Sequence, residues 1–171
     1  MESALIILVP EAEPVVGEFR RKYDPSAVNG MPAHITINYP FLNFADGDEK
    51  TEERLYKALT GHLPFDFVLA ETRLFTEALY LAPEPEGPFI EIIKSIWREF
   101  PEAPPFGGIY PEIVPHLTIA TKEKAGSLER VREEFLNAAR GKLPIKARAE
   151  RVELHDNREG VWKKRREFGM G

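Results

Sequence analysis

The sequence contains no cysteine. Disulfides, thiolate metal sites, cysteine nucleophiles and iron–sulfur clusters are excluded together, and a reducing, cytoplasmic setting is the expectation. No apolar run approaches the roughly 20 residues of a membrane-spanning helix. The apolar stretch Ala4-Leu5-Ile6-Ile7-Leu8-Val9 has no basic flank before it and no small-residue cleavage site after it. It therefore reads as a buried strand and not as a signal peptide. Gly-x-Gly-x-x-Gly, Walker and Gly-x-Ser-x-Gly patterns are also missing, which removes the common dinucleotide, nucleoside-triphosphate and serine-hydrolase signatures. Excess positive charge is lacking too. A net charge of −5 argues against an extended nucleic-acid surface, which needs a broad basic face. The one dense basic cluster, Lys163 to Arg166, is expected to solvate a strand edge.

With 171 residues, the chain suffices for a single domain of two small lobes. Hydrophobic periodicity sets out a repeated order of elements. Ala4 to Val9 reads as a strand, and Glu13 to Tyr23 as an amphipathic helix burying Val15, Val16 and Phe19. A loop from Pro25 to Pro32 leads to a strand from Ala33 to Tyr39, followed by a helix from Asp48 to Thr60. Phe65 to Phe75 is extended, rich in β-branched and aromatic residues. The second half repeats the order, with a strand at Ala78 to Leu81 and a helix from Pro88 to Phe100. A proline-rich loop then leads to a strand at His116 to Ala120, a helix at Ser127 to Arg140 and a strand at Ile145 to Leu154. A turn at Asp156 to Gly160 opens the final strand, Val161 to Phe168.

The halves also match residue by residue. Gly61-His62-Leu63-Pro64 is echoed by Gly141-Lys142-Leu143-Pro144, and His34-Ile35-Thr36-Ile37 is echoed by His116-Leu117-Thr118-Ile119. Two landmarks at nearly one offset imply an internal duplication of about 80 residues, with approximate halves 1–76 and 77–171. The expected fold is α+β: a bilobed, pseudo-twofold pair of β-α-β-α-β lobes.

Alternate residues of a strand share a face, so His34, Thr36 and Asn38 are expected on one side, with Ile35, Ile37 and Tyr39 on the other. His116 and Thr118 stand together in the second copy. A single His-x-Thr carries little weight, because half-exposed antiparallel strands often alternate polar and apolar residues. Two copies at equivalent points of a repeat, on opposite walls of one cleft, carry much more. One imidazole can take a proton from a nucleophile while the other donates one to a leaving oxygen, since histidine titrates near neutrality. Threonine hydroxyls and an imidazolium can hydrogen-bond phosphoryl oxygens. A zinc site would need a third ligand. His62 and His155 are available, but His62 aligns with Lys142, so no metal is expected and both are read as surface or strand-end residues.

At His34-Ile35-Thr36-Ile37 and His116-Leu117-Thr118-Ile119-Ala120, the chain resembles the two-histidine phosphoesterase superfamily, whose signature is a pair of such motifs on strands of duplicated lobes. The segment from Gly160-Val161-Trp162 to Phe168-Gly169 is similar to the final hairpin of its 2′-5′ RNA ligase-like branch. The resemblance implies mainly antiparallel sheets around a central cleft, no cofactor, and His34, Thr36, His116 and Thr118 as catalytic residues. It implies hydrolysis of 2′,3′-cyclic phosphates, on RNA ends or nucleotides, to 2′-phosphates. Other members join RNA through 2′-5′ bonds or cleave other cyclic or 2′-5′ phosphodiesters. Some relatives carry an arginine where this chain has Thr121-Lys122-Glu123, making Lys122 the candidate phosphate cation. A base platform is expected from Phe106 and Tyr110 in the loop before the second motif. Tyr39, Phe41 and Trp162 are further candidates, with Tyr39 expected on the core side. The expected partner is a small cyclic nucleotide or RNA terminus bound by a monomer away from any membrane. A module that binds such ends without turnover is the alternative.

Overall fold

The computed structural model describes residues 1–44 and 48–171. The apolar and alternating runs form strands β1 (Ser3–Leu8), β2 (His34–Asn38), β3 (Phe65–Leu74), β4 (Ala78–Glu84), β5 (Leu117–Thr121), β6 (Ile145–Ala149), β7 (Arg151–Asp156) and β8 (Lys163–Gly169). The helices are α1 (Glu13–Tyr23), α2 (Pro25–Val28), α3 (Glu49–Leu59), α4 (Gly87–Glu99), α5 (Lys122–Ala125) and α6 (Leu128–Ala138). The strands join in two four-stranded antiparallel sheets, one ordered β2-β1-β7-β8 and the other β5-β4-β3-β6. Among the described residues, no helix is long and apolar enough to cross a membrane.

One face of each sheet enters a shared core with the helices. Leu5, Ile7 and Ile35 from the first sheet and Leu79, Leu81 and Leu117 from the second join Val16, Leu55, Ile92, Ile96 and Phe135 there. The apolar run of β1 is explained by burial on both faces, because Ala4 and Ile6 enter a second cluster with Met31.

The duplication is visible in the register. β3 pairs with β6 so that Phe65 faces Ala149, Phe67 faces Ala147 and Leu69 faces Ile145. The repeat offset carries Phe65, Phe67 and Leu69 onto Ile145, Ala147 and Ala149, so the ladder joins equivalent segments about a local twofold at Phe67 and Ala147. The two His-x-Thr strands repeat their pairing as well. Thr36 faces Ile6 and Asn38 faces Leu5, while Thr118 faces Tyr80 and Ala120 faces Leu79. Each ladder therefore carries an irregularity at the same place, with Ile37 and Ile119 as the extra residues.

A bulge of this kind interrupts strict alternation, and it corrects the expected faces of β2. Ile37 and Asn38 are both buried, as are Ile119 and Ala120. Asn38 leaves the histidine face and donates through Nδ2 to the Ala103 carbonyl at 2.8 Å. Tyr39 passes to the other side, packing against the cluster of Ala4, Ile6 and Met31.

Two further expectations change. Residues 145–154 are not one strand: the chain leaves the second sheet after Ala149 and enters the first at Arg151. The signal is a slip in alternation, since Glu150 and Arg151 are consecutively exposed. The loop at 25–32 begins with α2, whose start is capped by Asp24 accepting from Ser26 N at 3.0 Å. Asp24 also pairs with buried Arg20 at 3.0 Å, and Arg20 Nη1 donates to the Met31 carbonyl at 3.0 Å. This ion pair ties α1 to the segment that leads into His34. Removing one partner of a buried pair strands the other charge, so Asp24→Ala is expected to cost about 3–5 kcal/mol. Urea unfolding measures this; a loss under about 1 kcal/mol would contradict the structural role.

Candidate active site

His34 opens β2 and His116 immediately precedes β5. Both Nδ1 atoms lie 2.7 Å from the carbonyl oxygen two residues earlier, Pro32 for His34 and Val114 for His116. A carbonyl only accepts, so each ring carries its proton on Nδ1 and leaves Nε2 as the free nitrogen. The two carbonyls are separated by the same offset as the motifs themselves. Thr36 and Thr118 follow at half-buried positions on the same side as their histidines. β2 and β5 lie beside one another, and a pocket of about 40 Å³ is lined by both Thr36 and His116.

The two imidazoles differ electrostatically. His34 is lowered to about 4, first by burial and then by the Arg20 guanidinium, with a smaller contribution from His116. Pro32 and Asp24 oppose that shift without cancelling it. His116 is also lowered, by burial, against the Val114 hydrogen bond. Among the described residues, aromatic rings rather than a cation surround His116. Phe75 meets it edge-on at 5.1 Å, Tyr80 lies at 5.6 Å, and Phe106 stacks at 6.1 Å with an interplanar angle of 27°. Phe75 and Tyr80 are themselves stacked at 4.2 Å.

Phe106 and Tyr110 are brought to the site. Phe106 contacts Tyr39, Tyr110 and His116, and its backbone N donates to the Tyr39 carbonyl at 2.6 Å. Its φ of 51° is a left-handed conformation that costs a non-glycine residue roughly 1–2 kcal/mol, sustained here by these contacts. Tyr39 and Trp162 adjoin at 6.3 Å, whereas Phe41 is buried against Phe100 at 5.0 Å and faces no cleft. Lys122 is not beside the histidines: it is exposed at the start of α5, past the far end of β5 from His116.

The other histidines divide. His62 is half-buried, with Nε2 2.9 Å from Ser95 Oγ. His155, read as a surface or strand-end residue, is next to last in β7 but buried, and its Nε2 lies 2.8 Å from Glu153 Oε2. Its position on the inner strand β7, covered from both sides, explains the difference. The basic cluster is occupied by acids: Lys163 pairs with Glu159, Lys164 with Glu167, Arg165 with Asp156 and Arg166 with Glu52. Arg20, Phe75 and Tyr80 were not foreseeable from the sequence as parts of the site. Their types suit a helix surface or a strand core equally well, and only the cross-strand register shows which side they take.

The model of the 2′-5′ RNA ligase superfamily matches residues 8–161. The chain belongs to this family of two-histidine phosphoesterases. The fold agrees with the E. coli LigT structure complexed with 3′-AMP, at a TM-score of 0.64 and 15% identity, covering 99% of this chain and 97% of that one. It agrees equally with TT0787 of Thermus thermophilus, at a TM-score of 0.66 and 16% identity, covering 99% of this chain and 98% of that one. Among curated proteins, none matches the chain in sequence.

The environment of His34 is directly testable. By histidine ¹H–¹⁵N correlation spectra, His34 is expected as the Nδ1–H tautomer at neutral pH, protonating only as pH falls to about 4. A midpoint at or above the ordinary value of about 6.5 would contradict the arrangement.

Proposed function

We propose that this protein is a metal-independent phosphodiesterase that opens 2′,3′-cyclic phosphates, on RNA ends or nucleotides, to 2′-phosphates. The observation that carries the reading is the matched pair of Nδ1–carbonyl bonds, which leaves Nε2 of each histidine as the nitrogen without a proton, two residues before a half-buried threonine. E. coli LigT, a structural neighbour, has been seen with 3′-AMP, ATP, NADP+ and phosphate, which supports a nucleotide-sized substrate.

The electrostatic difference supports a division of roles. Arg20 disfavours a charged His34, so His34 is the base, taking a proton from water at Nε2. His116 has no cation among the causes that lower it, and Phe106 stacks on it, so His116 is the acid. Water attacks phosphorus, the bond to the 3′-oxygen breaks, and His116 protonates that oxygen. Thr36 and Thr118 donate to the non-bridging oxygens, where charge redistributes. Phe106 and Tyr110 offer a base platform. Action on a 2′-5′ linkage is the second reading, favoured by the family match, and uses the same groups. Binding without turnover would not require two matched free imidazole nitrogens.

The first test is hydrolysis of the four 2′,3′-cyclic nucleoside monophosphates in EDTA. His34→Ala and His116→Ala are each expected to lose about 10²–10⁴ in kcat. Full activity in either variant, or tight binding with no product, would overturn the reading.

The pH profile follows from the same assignments. The base must be neutral, so kcat/KM falls as pH drops through about 4. The acid must be protonated and His116 is lowered, so kcat/KM falls again above a midpoint below histidine's usual value of about 6.5. A maximum on the acid side of neutrality is expected; a rate rising steadily to alkaline pH would reverse the roles.

A further inference from the structure

The open face of the second sheet continues past Thr118. In the register, Thr118 faces Tyr80 and Tyr80 faces Arg73. Residues directly opposite in an antiparallel pair share a face, so Thr118, Tyr80 and Arg73 form a row across β5, β4 and β3. That this face is the site's is fixed by Tyr80, whose ring packs 5.6 Å from His116. The outer strands of such a row are roughly 10 Å apart, within the span of an extended arginine leaning over the middle residue.

The row has no counterpart in the other lobe. The same pairing there places Thr36 opposite Ile6, and Ile6 opposite Glu153. One lobe thus ends its row in an apolar residue and a carboxylate, the other in a phenol and a guanidinium. Among the described residues, the Tyr80 hydroxyl has no hydrogen-bond partner; burial pushes its phenol up, and Arg73 is close enough to oppose that rise. Among the described residues, Arg73 itself pairs only with Glu71, at 3.2 Å, and both side chains are more than half exposed. A pair so exposed holds weakly and yields to a better anion. Among the described residues, Arg20 is taken up by Asp24 and Arg132 by the Thr72 hydroxyl at 2.9 Å, while Lys122 lies on α5, past the far end of β5 from His116.

We propose that Arg73, with the Tyr80 hydroxyl, forms a second anion subsite that takes the phosphate on the 5′ side of the terminal nucleoside. The inference rests on the cyclic phosphodiesterase reading and deepens it. The substrate class is then an oligonucleotide end, or a nucleotide bearing a 5′-phosphate, in preference to a nucleoside 2′,3′-cyclic phosphate with a free 5′-hydroxyl. The pseudo-twofold cleft would otherwise admit a phosphodiester in either direction. A subsite on one side sets one direction.

The test compares Arg73→Ala with wild type on two substrates: a dinucleotide ending in a 2′,3′-cyclic phosphate, and a 2′,3′-cyclic mononucleotide with a free 5′-hydroxyl. Loss of a charged hydrogen bond is expected to lower kcat/KM on the dinucleotide by about tenfold or more, with little change on the mononucleotide. Arg73→Lys is expected to recover part of it, and Lys122→Ala to behave as wild type. Equal losses on both substrates, or none on the dinucleotide, would overturn the subsite and leave the proposed reaction standing. Calorimetric binding of the corresponding 2′-phosphate products is measured on the same variants. If wild type turns over neither substrate, the reaction fails, and binding alone decides the subsite: a loss confined to the dinucleotide product supports it, and any other pattern rejects it.

Discussion

Antiparallel pairing is the one strand arrangement that maps onto itself when its two partners exchange, and the duplicated chain uses it as its joint. Phe65 to Leu69 pairs with Ile145 to Ala149, its own equivalent in the second copy. Once that ladder forms, the rest of each copy is placed by continuation. β3 runs on to pair with β4, while the chain after β6 crosses at Glu150 to pair β7 with β1. The two His-x-Thr strands lie one strand further out in each sheet, so the joint sets both their separation and their mutual orientation.

The motif involves more than the two residues that spell it. The carbonyl two positions before each histidine holds Nδ1, and the extra residue after each threonine turns the strand. That turn sends Asn38 and Ala120 into the core directly behind the site. Without it, Asn38 would follow Thr36 on the cleft side. Tyr39, released to the other face, joins Phe106 and Trp162 at the rim.

Periodicity and repetition made much of this legible. The repeat offset, the strand settings of both motifs and the long helices need only local pattern and self-comparison. What stayed hidden depends on pairing between distant segments. Asn38 and Tyr39 follow the alternation rule on paper, and only the ladder with β1 reveals the extra residue. The crossing at Glu150 left a faint local trace in the adjacent charges Glu150 and Arg151, easily read as an ordinary exposed position. Arg20 and Asp24, four apart on α1 and just beyond, have the spacing of a surface ion pair, yet the α2 segment folds over them. Lys122 follows the second motif closely in sequence, but the short helix α5 carries it away from the cleft.

For the proposed reaction a symmetric scaffold has a difficulty: a phosphodiester between two like pairs would have no preferred direction, and acid and base would be interchangeable. The structure breaks the tie at equivalent positions. His155 and Glu153 in one copy align with Phe75 and Arg73 in the other, and Ile6 stands where Tyr80 does. The first set is a buried, mutually bonded pair beneath an apolar surface. The second is a stacked aromatic pair packed on His116, with an exposed guanidinium beside it. On the opposite wall, buried Arg20 weights His34 toward neutrality. A cation acts on one imidazole and aromatic rings surround the other: the strands supply two equal histidines, and the side chains that escaped the repeat make them unequal.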